Sequence, residues 1–261
     1  GTAYVMFEEL SLEQFGNRIP QLSFEVFRTL DDLDAVESQI KAVTLIPGSG
    51  EFVYATEPIR QGTAGTTTPE NMHASAAATD LMISLDQLET VLPNVESVSL
   101  VASWFGSDLR VEHCQMRPGV ENTSKPTSPK SWSVNGVDRA SANLVSSDAE
   151  GHPAYGGTPA DFAIVQAIKE LKARGKRVTF YPFLLMDIPA GNSLPDPYSD
   201  NAATIGQPAY PWRGRITCSP AAGFVGSADK TTAATAQVAA FFGECKTRGN
   251  NGPQKRLHIA V

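Results

Sequence analysis

From residue 79 onward the chain alternates between two hydrophobic periods. Leu81, Leu85, Leu88 and Leu92 form one stripe at helical spacing, with Thr79-Asp80 ahead as an N-cap and Pro93-Asn94 behind as a stop. Residues 97–105 (SVSLVASWF) are nearly continuous in apolar character, the pattern of a strand covered on both faces. Residues 109–116 extend that strand or form a second short one. A second helix is predicted from Thr158 to Arg174, with Thr158 as cap, Pro159 at the first helical position and Asp161 reaching back. It places Phe162, Val165, Ile168 and Leu171 on its buried face and stops at Gly175. Residues 177–186 (RVTFYPFLLM) read as a second buried strand, and an Ala-rich helix is expected over about 229–242. Short strands are predicted at 131–134 and near 142–146, and 187–228 is a Pro- and Gly-rich loop.

Ahead of residue 79 the pattern is less regular. Residues 3–9 and 19–28 favour strand, joined by turn chemistry at Phe15-Gly16-Asn17-Arg18. Two strands alone are marginal in water, so these should pack on other protein. Leu33, Val36, Ile40 and Val43 predict a helix over 31–46, broken by Pro47-Gly48-Ser49-Gly50. A short strand at 51–55 and an extended surface loop over 60–78 follow. The order helix, strand, helix, strand, loop, helix predicts a parallel α/β arrangement. Too little chain follows residue 79 for the ~250 residues of a complete eight-fold barrel, which leaves a partial barrel or a small open sheet.

Composition narrows the function classes. The chain has 261 residues, 41% of them apolar, and a formal charge of −7 without a basic run. That disfavours a nucleic-acid groove or an anionic membrane surface. No stretch approaches the ~18 apolar residues of a membrane span, and no signal peptide is visible. Cys114, Cys218 and Cys245 are far apart and form no C-x-x-C, so no disulfide framework is indicated. Both ends read as cuts through a longer polypeptide; the alternative is Met removal and a short C-terminal strand.

Two carboxylates stand where parallel α/β folds place their chemistry. Asp187 follows the strand at 177–186, and Asp108, with Arg110, follows the strand at 97–105. A carboxylate pair suits glycoside cleavage, and Trp104, Tyr198, Tyr210 and Trp212 could stack on sugar rings. The competing reading is structural and is preferred, because fold alone does not confer function. In it, Asp187 orders the loop 188–192, Asp108 pairs with Arg110, and the aromatics pack a Pro-rich loop. His113-Cys114 with the other cysteines matches no zinc spacing, and no nucleotide, zinc-protease or serine-elbow motif is present. Neither a metal nor a cofactor is expected.

Several blocks resemble a known family. They are Leu45 to Phe52 (LIPGSGEF), Ser97 to Arg110 (SVSLVASWFGSDLR), Arg117 to Glu121 (RPGVE), Tyr181 to Asn192 (YPFLLMDIPAGN) and Tyr210 to Cys218 (YPWRGRITC). With the opening strands they resemble, over about residues 1–243, the large tail-tip host-specificity (megatron) proteins of gene transfer agents and related siphophages. The resemblance implies hub-type β-strands followed by a glycoside-hydrolase-like TIM-barrel segment. It also implies a place in the virion tail, trimeric assembly around the tail axis, contacts with hub and distal tail proteins, and action at host attachment or envelope penetration. Residues 244–261 depart from the expected continuation, and the later strands that usually carry a glycosidase's acid/base and nucleophile are absent.

The expectation is therefore an α/β chain: hub-type strands at 1–30, a connecting segment at 31–78, and an incomplete TIM-barrel-like (β/α) domain at 79–261. Its expected role is structural and not enzymatic. The alternative is a glycoside-hydrolase-like or sugar-binding module for host-surface polysaccharide, with Asp187 and Asp108 as carboxylates and Trp104, Arg110, Tyr198, Tyr210 and Trp212 as sugar contacts.

Overall fold

The computed structural model describes residues 35–46, 50–63, 66–210 and 215–242. The strands predicted at 3–9 and 19–28, the hub-type domain, Trp212 and Cys245 lie outside these residues. In chain order the principal elements are β1 (Ala42–Leu45), β2 (Arg60–Thr63), β3 (Thr66–Pro69), α1 (Asp80–Val91), β4 (Ser97–Gly106), α2 (Asp161–Ala173), β5 (Arg177–Met186) and α3 (Thr232–Phe242).

The protein is α/β. β1, β4 and β5 form one parallel sheet in that order, with α1 and α2 as the crossovers. β1 lies beside the first four residues of β4, from Ala42 opposite Ser97 to Leu45 opposite Leu100. β5 runs along the whole of β4, from Arg177 opposite Ser97 to Met186 opposite Gly106. The alternate residues Val98, Leu100 and Ala102 meet Leu81 and Leu85 of α1 and Ala163, Ile164, Ala167 and Leu171 of α2 in one buried cluster, so both helices cover the same face. Phe52, Tyr54, Ile59, Trp132 and Val134 complete it. On the other face Phe105 stacks obliquely on Tyr155, with centroids 5.6 Å apart, under the long excursion between β4 and α2.

Several local expectations are corrected. Among the described residues of 31–46, Val36–Gln39 is helical, and its N-cap Ala35 makes no side-chain bond. The apolar spacing that mimics a helix there serves a strand, because β4 offers residues 42–45 a hydrogen-bonded partner. Residues 51–54 turn instead of extending, which buries Phe52, Tyr54 and Ala55. Part of the expected loop at 60–78 is the β2–β3 hairpin.

α2 begins at Asp161 with Ala160 as its N-cap. Thr158 is not the cap; its hydroxyl accepts the Gly119 N–H at 3.0 Å, and its carbonyl accepts Trp132 Nε1 at 2.7 Å. The buried face of α2 is correspondingly shifted, and Val165 is 48% exposed. β5 is not buried on both faces: Phe180 and Tyr181 are each 47% exposed, and β4 is its one strand partner among the described residues. Of the strand expected at 109–116 only Met116 is in one: residues 111–113 turn, and Met116–Arg117 pairs antiparallel with the end of β4.

Short pairings also appear at Ser133–Val134 and Asn143–Leu144, as the sequence suggests. Among the described residues no helix is long and apolar enough to cross a membrane.

Candidate functional site

Asp187 and Asp108 both stand at the C-terminal end of the sheet, and the Asp187 N–H donates to the Gly106 carbonyl at 2.8 Å. Their carboxyl groups are committed to different partners. Asp108 is buried, 3% exposed. Its Oδ2 accepts Arg110 Nη2 at 2.7 Å, and its Oδ1 accepts Arg110 Nε at 3.1 Å, the Arg110 N–H at 2.8 Å and Gln207 Nε2 at 2.7 Å. Burial works against ionisation, yet the Arg110 fork, the Gln207 amide and the Arg110 N–H hold this carboxyl below the ordinary carboxylate range. A buried carboxylate that takes four hydrogen bonds and is held ionised by Arg110 is committed to structure, and Arg110 spends its fork on Asp108.

Asp187 is half-buried and ties down the excursion after β4. Its Oδ1 accepts the Ser146 N–H at 3.1 Å, and its Oδ2 accepts Asn143 Nδ2 at 3.3 Å. Beside it, Tyr155 donates its hydroxyl to the Met186 carbonyl at 3.0 Å. Burial, then the Asp187 charge and Tyr210, push the Tyr155 phenol up to about 12. Tyr210 stands edge-on to Tyr155, centroids 6.4 Å apart, and donates to the Ser147 carbonyl at 2.6 Å. The gap at Asp187, bounded by Phe105, Ser107 and Asn143, has a volume of about 30 Å³. That accommodates a water and excludes a sugar ring.

The remaining sequence candidates are dispersed. Trp104 packs half-buried against the helix-covered core, on the strand face away from Asp187. Tyr198 packs within the long loop against Phe224 and donates to the Arg215 carbonyl at 3.0 Å. The sheet end thus joins Asp187 to Tyr210 through Tyr155, and joins Asp108 to Arg110. It does not assemble the carboxylates and aromatics into one cleft.

A larger cavity, about 860 Å³, opens at the C-terminal end of β1. Leu45, Val53 and Leu81 form apolar wall, and Glu51, Glu70, Glu121 and Lys125 supply charge. Glu51 is 2% exposed and bears the densest network. Its Oε1 accepts Arg139 Nη1 at 3.0 Å and the Glu121 N–H at 3.1 Å, its Oε2 accepts Arg139 Nη2, and Lys125 Nζ lies 3.2 Å away. Lys125 also reaches Glu70 at 2.7 Å. Glu121 is half-buried, and burial pushes its carboxyl above the ordinary range; Lys125 opposes this, the charges of Glu51 and Glu70 add to it, and the Gly157 N–H opposes it. The residues of this cavity were not candidates from sequence. The one available signal was charge set inside apolar runs, Glu51 before Phe52-Val53-Tyr54 and Glu121 after Gly119-Val120.

Among the described residues no group of His, Cys, Asp and Glu side chains is arranged to hold a metal ion. No protein-family model and no curated protein matches the chain.

Proposed function

We propose that the chain is a structural component of a phage-like or gene-transfer-agent tail tip, its α/β unit being the opening portion of a TIM-barrel-like domain, and that it acts in host attachment or envelope penetration. The observation that carries this reading is β5, the outer strand of the sheet among the described residues. It presents Phe180 and Tyr181, one on each face of the sheet and each 47% exposed. A sheet that ends in an apolar strand invites further protein alongside it. The sequential parallel order β1-β4-β5 is also how a β/α barrel begins. The tying of Asp108 and Asp187 into structural bonds agrees with a non-enzymatic role.

The reading implies location in the virion tail, trimeric packing about the tail axis, and neighbours among the hub and distal tail proteins. Labelling the chain in purified particles tests it. The expected result is label at the tail tip and a trimer in solution by light scattering. Particles without label, together with a monomeric free chain, overturn it.

A module for host-surface polysaccharide is the second reading. The 860 Å³ cavity favours it, being of the size that encloses a small ligand. Asp187 does not favour it, because its gap admits only water. Sugar release that is lost in Asp187→Asn would restore Asp187 to a catalytic role. Release that survives this change, but not one in the cavity, would place the chemistry at the cavity.

A further inference from the structure

Among the described residues the charges around the large cavity do not balance, and the imbalance defines a ligand. Glu51 is matched by Arg139 and Lys125, and Glu70 by Lys125, so these four side chains neutralise one another. Asp80 is held by His73 Nδ1 at 2.7 Å and by the N–H groups of His73 and Ala74. Glu121 differs. It makes no ion pair among the described residues, feels Lys125 only at a distance, and lines the open cavity. The one lysine of the described lining, Lys125, is already engaged with two carboxylates, and the polar groups of Gln61, Ser84 and Asn122 there are neutral. The cavity therefore offers acceptors and negative charge within apolar walls.

We propose that this cavity binds a small amine-bearing molecule, with the ammonium group placed against Glu121 and the carbon skeleton against Leu45, Val53 and Leu81. A cation there supplies Glu121 with the ion-pair partner it lacks among the described residues and donates charge-assisted hydrogen bonds to its carboxylate. A neutral molecule of the same shape leaves the Glu121 charge unmatched. The proposal rests on the cavity alone and stands or falls separately from the tail-tip reading, which is tested by particle location.

Calorimetric titration of the full chain at neutral pH and low salt, with putrescine, D-glucosamine and N-acetyl-D-glucosamine as probes, tests this. At least one of the two amines should bind saturably and at least tenfold more tightly than the acetylated sugar. Tighter binding of glucosamine would point to amino sugars, and tighter binding of putrescine to linear amines. Glu121→Gln should remove the preference while its melting temperature stays near that of the wild type. Should that variant unfold, Ser84→Trp, built from an exposed position on α1 beside the cavity, should block amine binding instead. Absence of saturable amine binding, equal binding of the acetylated sugar, or full affinity in a folded Glu121→Gln or Ser84→Trp protein would each overturn the proposal.

Discussion

Arg139 lies across the Glu51 carboxylate, each nitrogen of its fork on one oxygen, though 88 residues separate the two in the chain. Both are buried, at 8% and 2% exposure. Gly157 makes the arrangement possible, because a Cβ there would sit 2.5 Å from Glu51 Cγ and 3.0 Å from the Gly119 carbonyl oxygen. Removing Arg139 leaves the buried Glu51 carboxylate, among the described residues, to the cation of Lys125 alone, which Glu70 already shares. Arg139→Met is expected to destabilise the fold by about 3–5 kcal/mol. The double variant Glu51→Leu/Arg139→Met should lose less than the sum of the single changes, since no unpaired charge remains. Urea unfolding of the three variants measures both.

Asp108 makes stability depend on acid. Its folded carboxyl titrates below the ~3.9 of an unfolded Asp, so its contribution is complete above that value and is lost as pH falls through it toward the folded value. Asp108→Asn should therefore cost about 3 kcal/mol at pH 7 and much less at pH 2.5. Melting temperatures across that window, for wild type and variant, should converge at the acid end. A constant gap at all pH values would show that the Asp108 charge is not what holds Arg110 and Gln207.

Tyr54 links two strands by one hydroxyl, which reaches the Val101 carbonyl at 2.5 Å and the Leu45 carbonyl at 3.2 Å. Burial, against the bond to Val101, pushes its ionisation well above the usual tyrosine range. Tyr54→Phe keeps the ring and removes the bonds, so a loss of about 1–2 kcal/mol is expected. In absorbance titration, alkaline ionisation of Tyr54 should coincide with unfolding, and the variant should lack that step.

Gly119 passes close beneath Phe105. A Cβ at this position would lie 2.6 Å from Phe105 Cδ2 and 2.9 Å from Val145 Cγ1. Neither neighbour is a flexible chain end, so Gly119→Ala should cost about 1–3 kcal/mol by overpacking. Thermal melts check this directly.

Phe180 and Tyr181 carry the assembly reading, and half-exposed positions can be changed without loss of the fold. Phe180→Ser and Tyr181→Ser should each cost about 0.5–1.5 kcal/mol, since half of each ring is covered and Tyr181 stands edge-on to Phe183. Together they should lower self-association or incorporation into particles. Sedimentation velocity of the double variant beside the wild type separates the two effects, and unchanged association would remove β5 from the interface.

The amino-acid sequence by itself determined the elements whose own residues satisfy a period. Leu81, Leu85 and Leu88 at helical spacing gave α1, and the apolar runs at 97–105 and 177–186 gave β4 and β5, because burial of one face or two is written in the order of side chains. It also supplied the alternation that makes the protein α/β, and the Asp108–Arg110 pair, whose partners stand two residues apart. Tertiary structure decided the rest. Residues 42–45 became a strand through a partner 55 positions along the chain, overriding a helical spacing that no local pattern could have exposed. Gln207 met Asp108 across 99 residues, and Arg139 met Glu51 across 88. The cavity around Glu121 is likewise a product of packing: its charges acquire meaning only when distant segments bring them together and exclude water around them.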